Sequence, residues 1–439
     1  MAETAVIPPP PSHLRNGDVF RTLELPENFI VGLDTMAMTT NKSLLGFRDI
    51  PPGPHFLWVQ LPGGVSRCGY WFSTGAQGIV RTKQWDSRLE VLVEPTTQLE
   101  RQSQKDNVEA VYSALQPYTL YAHKDQAATS LDNTHPEWAR SPARLWNALT
   151  SAISGQDLAR ITGGQNVGEH FVDSIHSAKD TRLGEMLSAT SAADSASSHN
   201  KLTFHFAQDF HDLQVLDLGV ASTRVADTSA RIQALLTHPT NPATEQTILA
   251  ELQFTFLTGT HLSNPACLEQ WWNLVLKIVL RAHALPTSHP RLARDLLRTL
   301  HAQLLYTEHY IGSSETNGAG DGGGSGGNFL GDDTPIFQYK PVYREKLRRA
   351  LVGYRKRLDG LLEGDEGRVT AEQDAVGKVF EALETWLWRC GWDLRGEGGT
   401  EKRAVETGEV DSEEEEDEMP VVVELDEEGR EVGLVSFRD

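Results

Sequence analysis

Glu251–Leu285, ELQFTFLTGTHLSNPACLEQWWNLVLKIVLRAHAL, is the stretch that decides how this chain is read. It holds two helical segments broken at Ser263-Asn264-Pro265, where Asn264 is placed to cap a helix and Pro265 takes the first helical position, which needs no amide partner. From Leu268 the apolar residues fall on two interleaved rows, Leu268, Trp272, Val275, Val279 and Trp271, Leu274, Ile278, Ala282. A helix apolar nearly all round is expected at the centre of a helical domain, not at its edge.

Working outward, repeated helix starts define that domain, expected over residues 201–395. Asn241-Pro242, Asn264-Pro265 and His289-Pro290 each open a helix, and Thr370 with Gln373 forms a capping box for a helix reaching about Cys390. Capped helices joined by short breaks suggest stacked hairpins. Leu296, Leu300 and Leu304 follow helical spacing with Arg294, Asp295 and Arg298 on the other face, so this helix is expected to pack outside the central one. Tyr343–Leu362 reads as a basic amphipathic helix whose charged face is either solvated or a docking surface for an acidic partner or an RNA backbone. Residues 312–333, rich in glycine, read as a flexible insertion. They contain the letters of a nucleophile elbow around Ser325, rejected because neither the strand nor the helix the elbow requires can form in a glycine tract.

Upstream, the pattern is β. Val19–Leu25, Phe29–Met36, His55–Gln60, Gly69–Ser73 and Ile79–Trp85 are short runs of β-branched and aromatic residues separated by Pro/Gly turns, which predicts an antiparallel sandwich-like domain over 17–155. In Pro51-Pro52-Gly53 the prolines fix the backbone and Gly53 supplies a positive φ, after which His55-Phe56 begin a strand. His55 is read as structural, since no partner carboxylate or nucleophile accompanies it in the sequence. Leu99–Leu120 and Pro142–Ile153 read as helices closing this domain, the second capped by Ser141. Residues 1–16 read as a proline-rich disordered arm and 156–200 as a polar, flexible linker.

The tail, 396–439, carries much of the charge. Residues 401–439 hold 16 Asp or Glu against 4 Lys or Arg, so −12 of the net −21 sits there and the body carries −9. Such acidity disfavours nonspecific phosphate binding and favours work through protein contacts. Inside the tail, Pro420-Val421-Val422-Val423-Glu424-Leu425 is a strand-forming run, a candidate to add to the edge of a partner's sheet or, alternatively, to this chain's own N-terminal sheet. Ser412, followed by four glutamates and an aspartate, is read as a phosphosite.

No Walker loop, dinucleotide fingerprint or HExxH occurs, and Cys68, Cys267 and Cys390 lie far apart, without a CxxC. His205, Asp209 and His211 are the nearest approach to a ligand cluster, but their spacing suits a strand or helix start equally well. The expectation is a soluble, non-enzymatic protein with no catalytic residues, metal or cofactor.

Five segments in order resemble the AAR-two family, the mating-type cistron splicing factors: Gly32 to Asp34, Gly46 to Phe56 with Pro51, Pro52, Gly53 and His55, Gly78 to Trp85, Glu251 through Gln253 to Trp271, and Trp392-Asp393 followed by the Pro420–Leu425 run. The resemblance implies an α+β multidomain fold, an N-terminal antiparallel β-sandwich-like domain followed by an all-α, stacked-hairpin, VHS-like domain. It implies a U5 snRNP assembly factor that binds the large U5 scaffold protein, clamps its RNase-H-like and MPN-type domains together and blocks premature helicase docking until phosphorylation releases it. The tail strand, here Pro420, Val421, Val422, Val423, Glu424 and Leu425, would make the joining contact. Association with U5 RNA would be indirect, with neither membrane nor small-molecule substrate involved, and localisation cytoplasmic with shuttling to the nucleus. The residues alone leave open a generic helical-repeat adaptor, or a hydrolase with a non-standard site around His205 and His211.

Overall fold

His55-Phe56-Leu57-Trp58-Val59 lacks the polar alternation of a strand with one wet face, and the computed structural model of the protein shows why: this strand is covered on both sides. The structure describes residues 14–41, 44–63, 66–75, 78–95, 97–119, 136–139, 141–163, 169–174, 202–205, 227–237, 243–308, 335–338, 342–363 and 369–395. Among them are strands β1 (Asp18–Leu23), β2 (Ile30–Leu33), β3 (Met36–Thr39), β4 (Gly46–Ile50), β5 (Gly53–Gln60), β6 (Arg67–Thr74), β7 (Val80–Asp86), β8 (Val91–Val93), β9 (Gln116–Pro117) and β10 (Glu169–Asp173). They form two five-stranded sheets, ordered β8-β7-β1-β4-β9 and β10-β6-β5-β2-β3. In β5 and β6, Leu57, Val59, Tyr70 and Phe72 face the core shared with the first sheet, whereas Phe56, Trp58 and Trp71 face the helices. Two glycines make room for those rings. A Cβ on Gly32 would fall 2.1 Å from the Trp58 indole, and one on Gly69 would fall 2.4 Å from the Phe56 ring.

The helices are α1 (Gln98–Asp106), α2 (Val108–Val111), α3 (Pro142–Thr150), α4 (Gly155–Thr162), α5 (Ser229–Leu236), α6 (Glu245–Leu262), α7 (Pro265–Asn273), α8 (Leu285–Ser288), α9 (Pro290–Tyr306), α10 (Pro335–Gln338), α11 (Val342–Glu363) and α12 (Ala371–Arg389). The break between α6 and α7 lies where the sequence puts it. Ser263 ends α6 in the left-handed conformation, and the Asn264 side chain accepts the Cys267 amide at 2.9 Å. A π-helical turn over Leu274–Val279 continues α7, and Trp271, Trp272, Leu274, Val275 and Ile278 are all buried. Ser141 caps α3, and Thr370 with Gln373 makes a capping box at α12.

A β-sheet domain followed by a helical region is therefore the fold, with several departures in detail. The first sheet is mixed, because β1 pairs β7 in parallel and β4 pairs β9 in parallel. Phe29–Met36 is not one strand: Asp34 turns at φ 57° and makes a β2–β3 hairpin. Leu99–Leu120 is two helices, a 3-10 turn and β9. Residues 156–162 and 169–173, expected within a flexible linker, are most of α4 and all of β10, which pairs antiparallel with β6. Thr244, with Thr247, caps α6, while Asn241-Pro242 lies outside the described residues. Helix α9, expected on the outside, is buried almost throughout its second half against α3, α6 and α12.

The chain divides into two units, Met1–Leu394 and Arg395–Asp439, and the first holds all the described residues but Arg395. In the first unit, one apolar core runs without a break from Phe56, Trp58 and Trp71 of the second sheet through α3, α4, α6, α7 and α9 to α11 and α12. Among the described residues no helix is long and apolar enough to cross a membrane.

Candidate functional site

The β2–β3 turn delivers Asp34 into the sandwich, where it is fully buried. One carboxylate oxygen accepts from His55 Nδ1 at 2.6 Å and from the Tyr118 hydroxyl at 2.5 Å, and the other accepts the Phe56 amide at 2.9 Å. His55 Nε2 lies 2.8 Å from the Pro51 carbonyl, so both ring nitrogens face acceptors. Burial opposes charge on His55, but the Asp34 carboxylate and the Pro51 carbonyl outweigh it and hold the pKa above the ordinary histidine value. The expectation that His55 has no carboxylate partner is thus corrected. The prolines present the Pro51 carbonyl, and Gly53, at φ 143°, starts β5. Trp85 sits apart from this knot, edge-on to Phe29 at 5.1 Å.

Phe56 carries the arrangement through the sheet. Its ring stacks on Trp71 at 4.7 Å, Trp71 lies 5.8 Å from Phe254 of α6, and the Trp71 Nε1 donates to the Thr258 hydroxyl at 2.9 Å. Trp146 of α3 donates to the Pro54 carbonyl at 3.1 Å. Nearby, burial and the Arg67 guanidinium push His261 down to about 3, leaving a neutral ring 2.9 Å from the Tyr306 hydroxyl.

From Ile248 onward α6 is enclosed on every side, so its polar residues must find partners inside the protein. Glu251 accepts from the Gln270 amide at 3.0 Å and from the His205 backbone amide at 2.9 Å, with the Arg160 guanidinium 3.6 Å away. Gln253 accepts the Ala152 amide at 2.9 Å and donates to the Ala148 carbonyl at 3.2 Å and to the Ser151 hydroxyl at 2.9 Å, fastening α6 to the end of α3. Trp271 donates to Gln303 at 2.8 Å, and Gln303 donates to the Leu252 carbonyl at 3.0 Å.

Phe56, beside Trp71, faces the helices, and Glu251, Gln253 and Trp271 tie α6 to its neighbours, whereas Asp34, Pro51 and His55 bond to one another inside the sandwich, with Gly32 making room for Trp58. Trp71 to Thr258 and Trp146 to the Pro54 carbonyl join sheet to helices, and the side chains of Glu251, Gln253 and Gln303 bond within the chain. Tyr118 takes part in the Asp34 knot, and Arg160, Thr258 and Gln303 take part around α6. The sequence carries no local signal for them, since each acts on a partner distant in the chain.

The other site residues fall elsewhere. Pro420, Val421, Val422, Val423, Glu424, Leu425 and Ser412 lie outside the described residues, as do Asp209, His211 and the 312–333 insertion. His205 bonds Glu251 through its backbone, and no group of three or more His, Cys, Asp or Glu suited to a metal occurs among the described residues.

Residues 16–163 match the family model for the AAR2 N-terminal domain, and residues 220–395 match that for the AAR2 C-terminal repeat region. The first match ends at Gly163, just past α4, and the second covers the helices from α5 to α12. No curated protein matches the chain.

Proposed function

This chain belongs to the AAR2 family, splicing factors that act in U5 snRNP assembly through a protein partner and without catalysis, and from that premise we propose that it binds the large U5 scaffold protein. In this reading it holds the scaffold's RNase-H-like and MPN-type domains together in the cytoplasm, delays helicase docking, accompanies the particle toward the nucleus and is released on phosphorylation. The ordered pair of family matches carries the proposal. The shared core supports it physically: a clamp must keep its two halves in register, and here Trp71 of the sheet bonds Thr258 of α6 while Gln253 of α6 bonds the end of α3.

Within the clamp, Pro420–Leu425 is the proposed joining strand. Its three consecutive valines suit a sheet edge, where main-chain bonds give affinity and alternate side chains give specificity. Ser412, in the acidic run before it, is the proposed release site, since phosphate there would deepen the local negative charge.

Calorimetry of the full chain and of a version ending at Glu418 against the purified C-terminal region of the U5 scaffold protein tests this. Tight binding that weakens on truncation is the expected result. Equal binding by both versions would remove the tail strand, and no binding by either would remove the scaffold as partner.

A further inference from the structure

Trp388 is 61% exposed on the last turn of α12, whereas Trp386 and Leu387 beside it are buried. A single exposed ring needs no occupant by itself, but a Trp beside Arg is the kind of residue that anchors an interface. What surrounds it follows from the register of α11 against α12. Leu362 lies against Gly377, Arg355 pairs with Glu384 at 3.2 Å, and the Arg344 guanidinium lies 5.9 Å from the Trp392 ring centre. These contacts describe an antiparallel pair in steady register, which sets Trp388 level with Leu351. Trp388 follows Glu384 by one turn, and Arg348 precedes Arg355 by two turns, so Trp388 and Arg348 flank the same outer seam. Arg348 is exposed, and Val352 beside it is half-buried.

We propose that this seam, centred on Trp388 and Arg348, is a second docking surface for the partner protein, taking a segment that carries an apolar side chain flanked by carboxylates. Charge complementarity argues for that occupant. Helix α11 carries seven Lys or Arg against three Asp or Glu in a chain of net charge −21, so it is the place where an acidic segment is attracted and not repelled. An exposed Trp beside Arg is also the composition of an interface anchor. Asp359, Glu381 and Glu384 interrupt the positive strip, which suits a short peptide with few carboxylates better than a continuous phosphate backbone. The inference rests on the reading that the chain binds the U5 scaffold protein, and it adds a contact separate from the tail.

The test is calorimetry of the full chain, tail intact, against the purified C-terminal region of the scaffold, comparing wild type with Trp388→Ala, Trp388→Phe and Arg348→Glu. Because both side chains are exposed, thermal unfolding of the variants should match wild type and serves as the folding control. Trp388→Ala and Arg348→Glu should each weaken Kd roughly tenfold or more, while Trp388→Phe keeps most of the affinity. Wild type and variants binding alike would overturn this surface and leave the scaffold reading standing, whereas no binding by wild type would overturn both. Trp388-dependent binding of a 12-nucleotide single-stranded RNA, with scaffold binding unchanged, would also overturn it and make the seam a nucleic-acid contact.

Discussion

Asp34 shows how much one buried carboxylate can organise. It holds a histidine, a tyrosine hydroxyl and a backbone amide at once, so Asp34→Ala strands three polar groups in the sandwich core. The expected loss is about 3–5 kcal/mol in a denaturant titration. The two buried histidines give stability a pH dependence of opposite sign. His55 has its folded pKa raised, so its contribution is full below about pH 6.5 and is lost as pH rises through the folded value. His261 has its folded pKa lowered to about 3, so its contribution is present above the unfolded value and is lost as pH falls toward 3. Unfolding measured across pH should show His55→Gln flattening the alkaline limb and His261→Gln flattening the acid limb. Each residue was visible in the sequence, but the Asp34–His55 pair was not. The two are 21 positions apart, and only the pairing of β2 with β5 brings them together.

Among the elements, local signals were read well and distant ones poorly. The start of α7 at Asn264-Pro265 was legible because capping is decided within four residues. Asn264 does more than cap, since its side-chain amide also donates to the Asp173 carbonyl of β10 at 2.9 Å. Asn264→Ala should therefore cost about 1–3 kcal/mol, the loss of a cap plus a carbonyl left unpaired, and hydrogen exchange should speed up at both α7 and β10. Strand β10 itself was hidden. Its five residues, EHFVD, sit in polar surroundings, and their pairing with β6 joins segments about a hundred positions apart in the chain. Helix α9 was placed outside on the strength of Arg294, Asp295 and Arg298, which do reach solvent, but Thr299 to Tyr306 are buried and Gln303 there is the acceptor for Trp271.

At the scale of the molecule, the composition pointed to two domains, and the structure joins their cores. Sheet and helices should unfold together, so near-ultraviolet and far-ultraviolet circular dichroism should report one midpoint. Gln253→Ala should lower both signals in step, and a separate sheet transition would contradict a shared core. The shared core also bears on how the chain is born. Trp71 leaves the ribosome 187 residues ahead of Thr258, the partner that caps its indole. At ordinary synthesis rates that is roughly 10 to 40 s during which Phe56, Trp58 and Trp71 have no helix to cover them. The nascent N-terminal half therefore carries an uncovered aromatic face until translation passes α6, even though the finished protein hides every one of those rings.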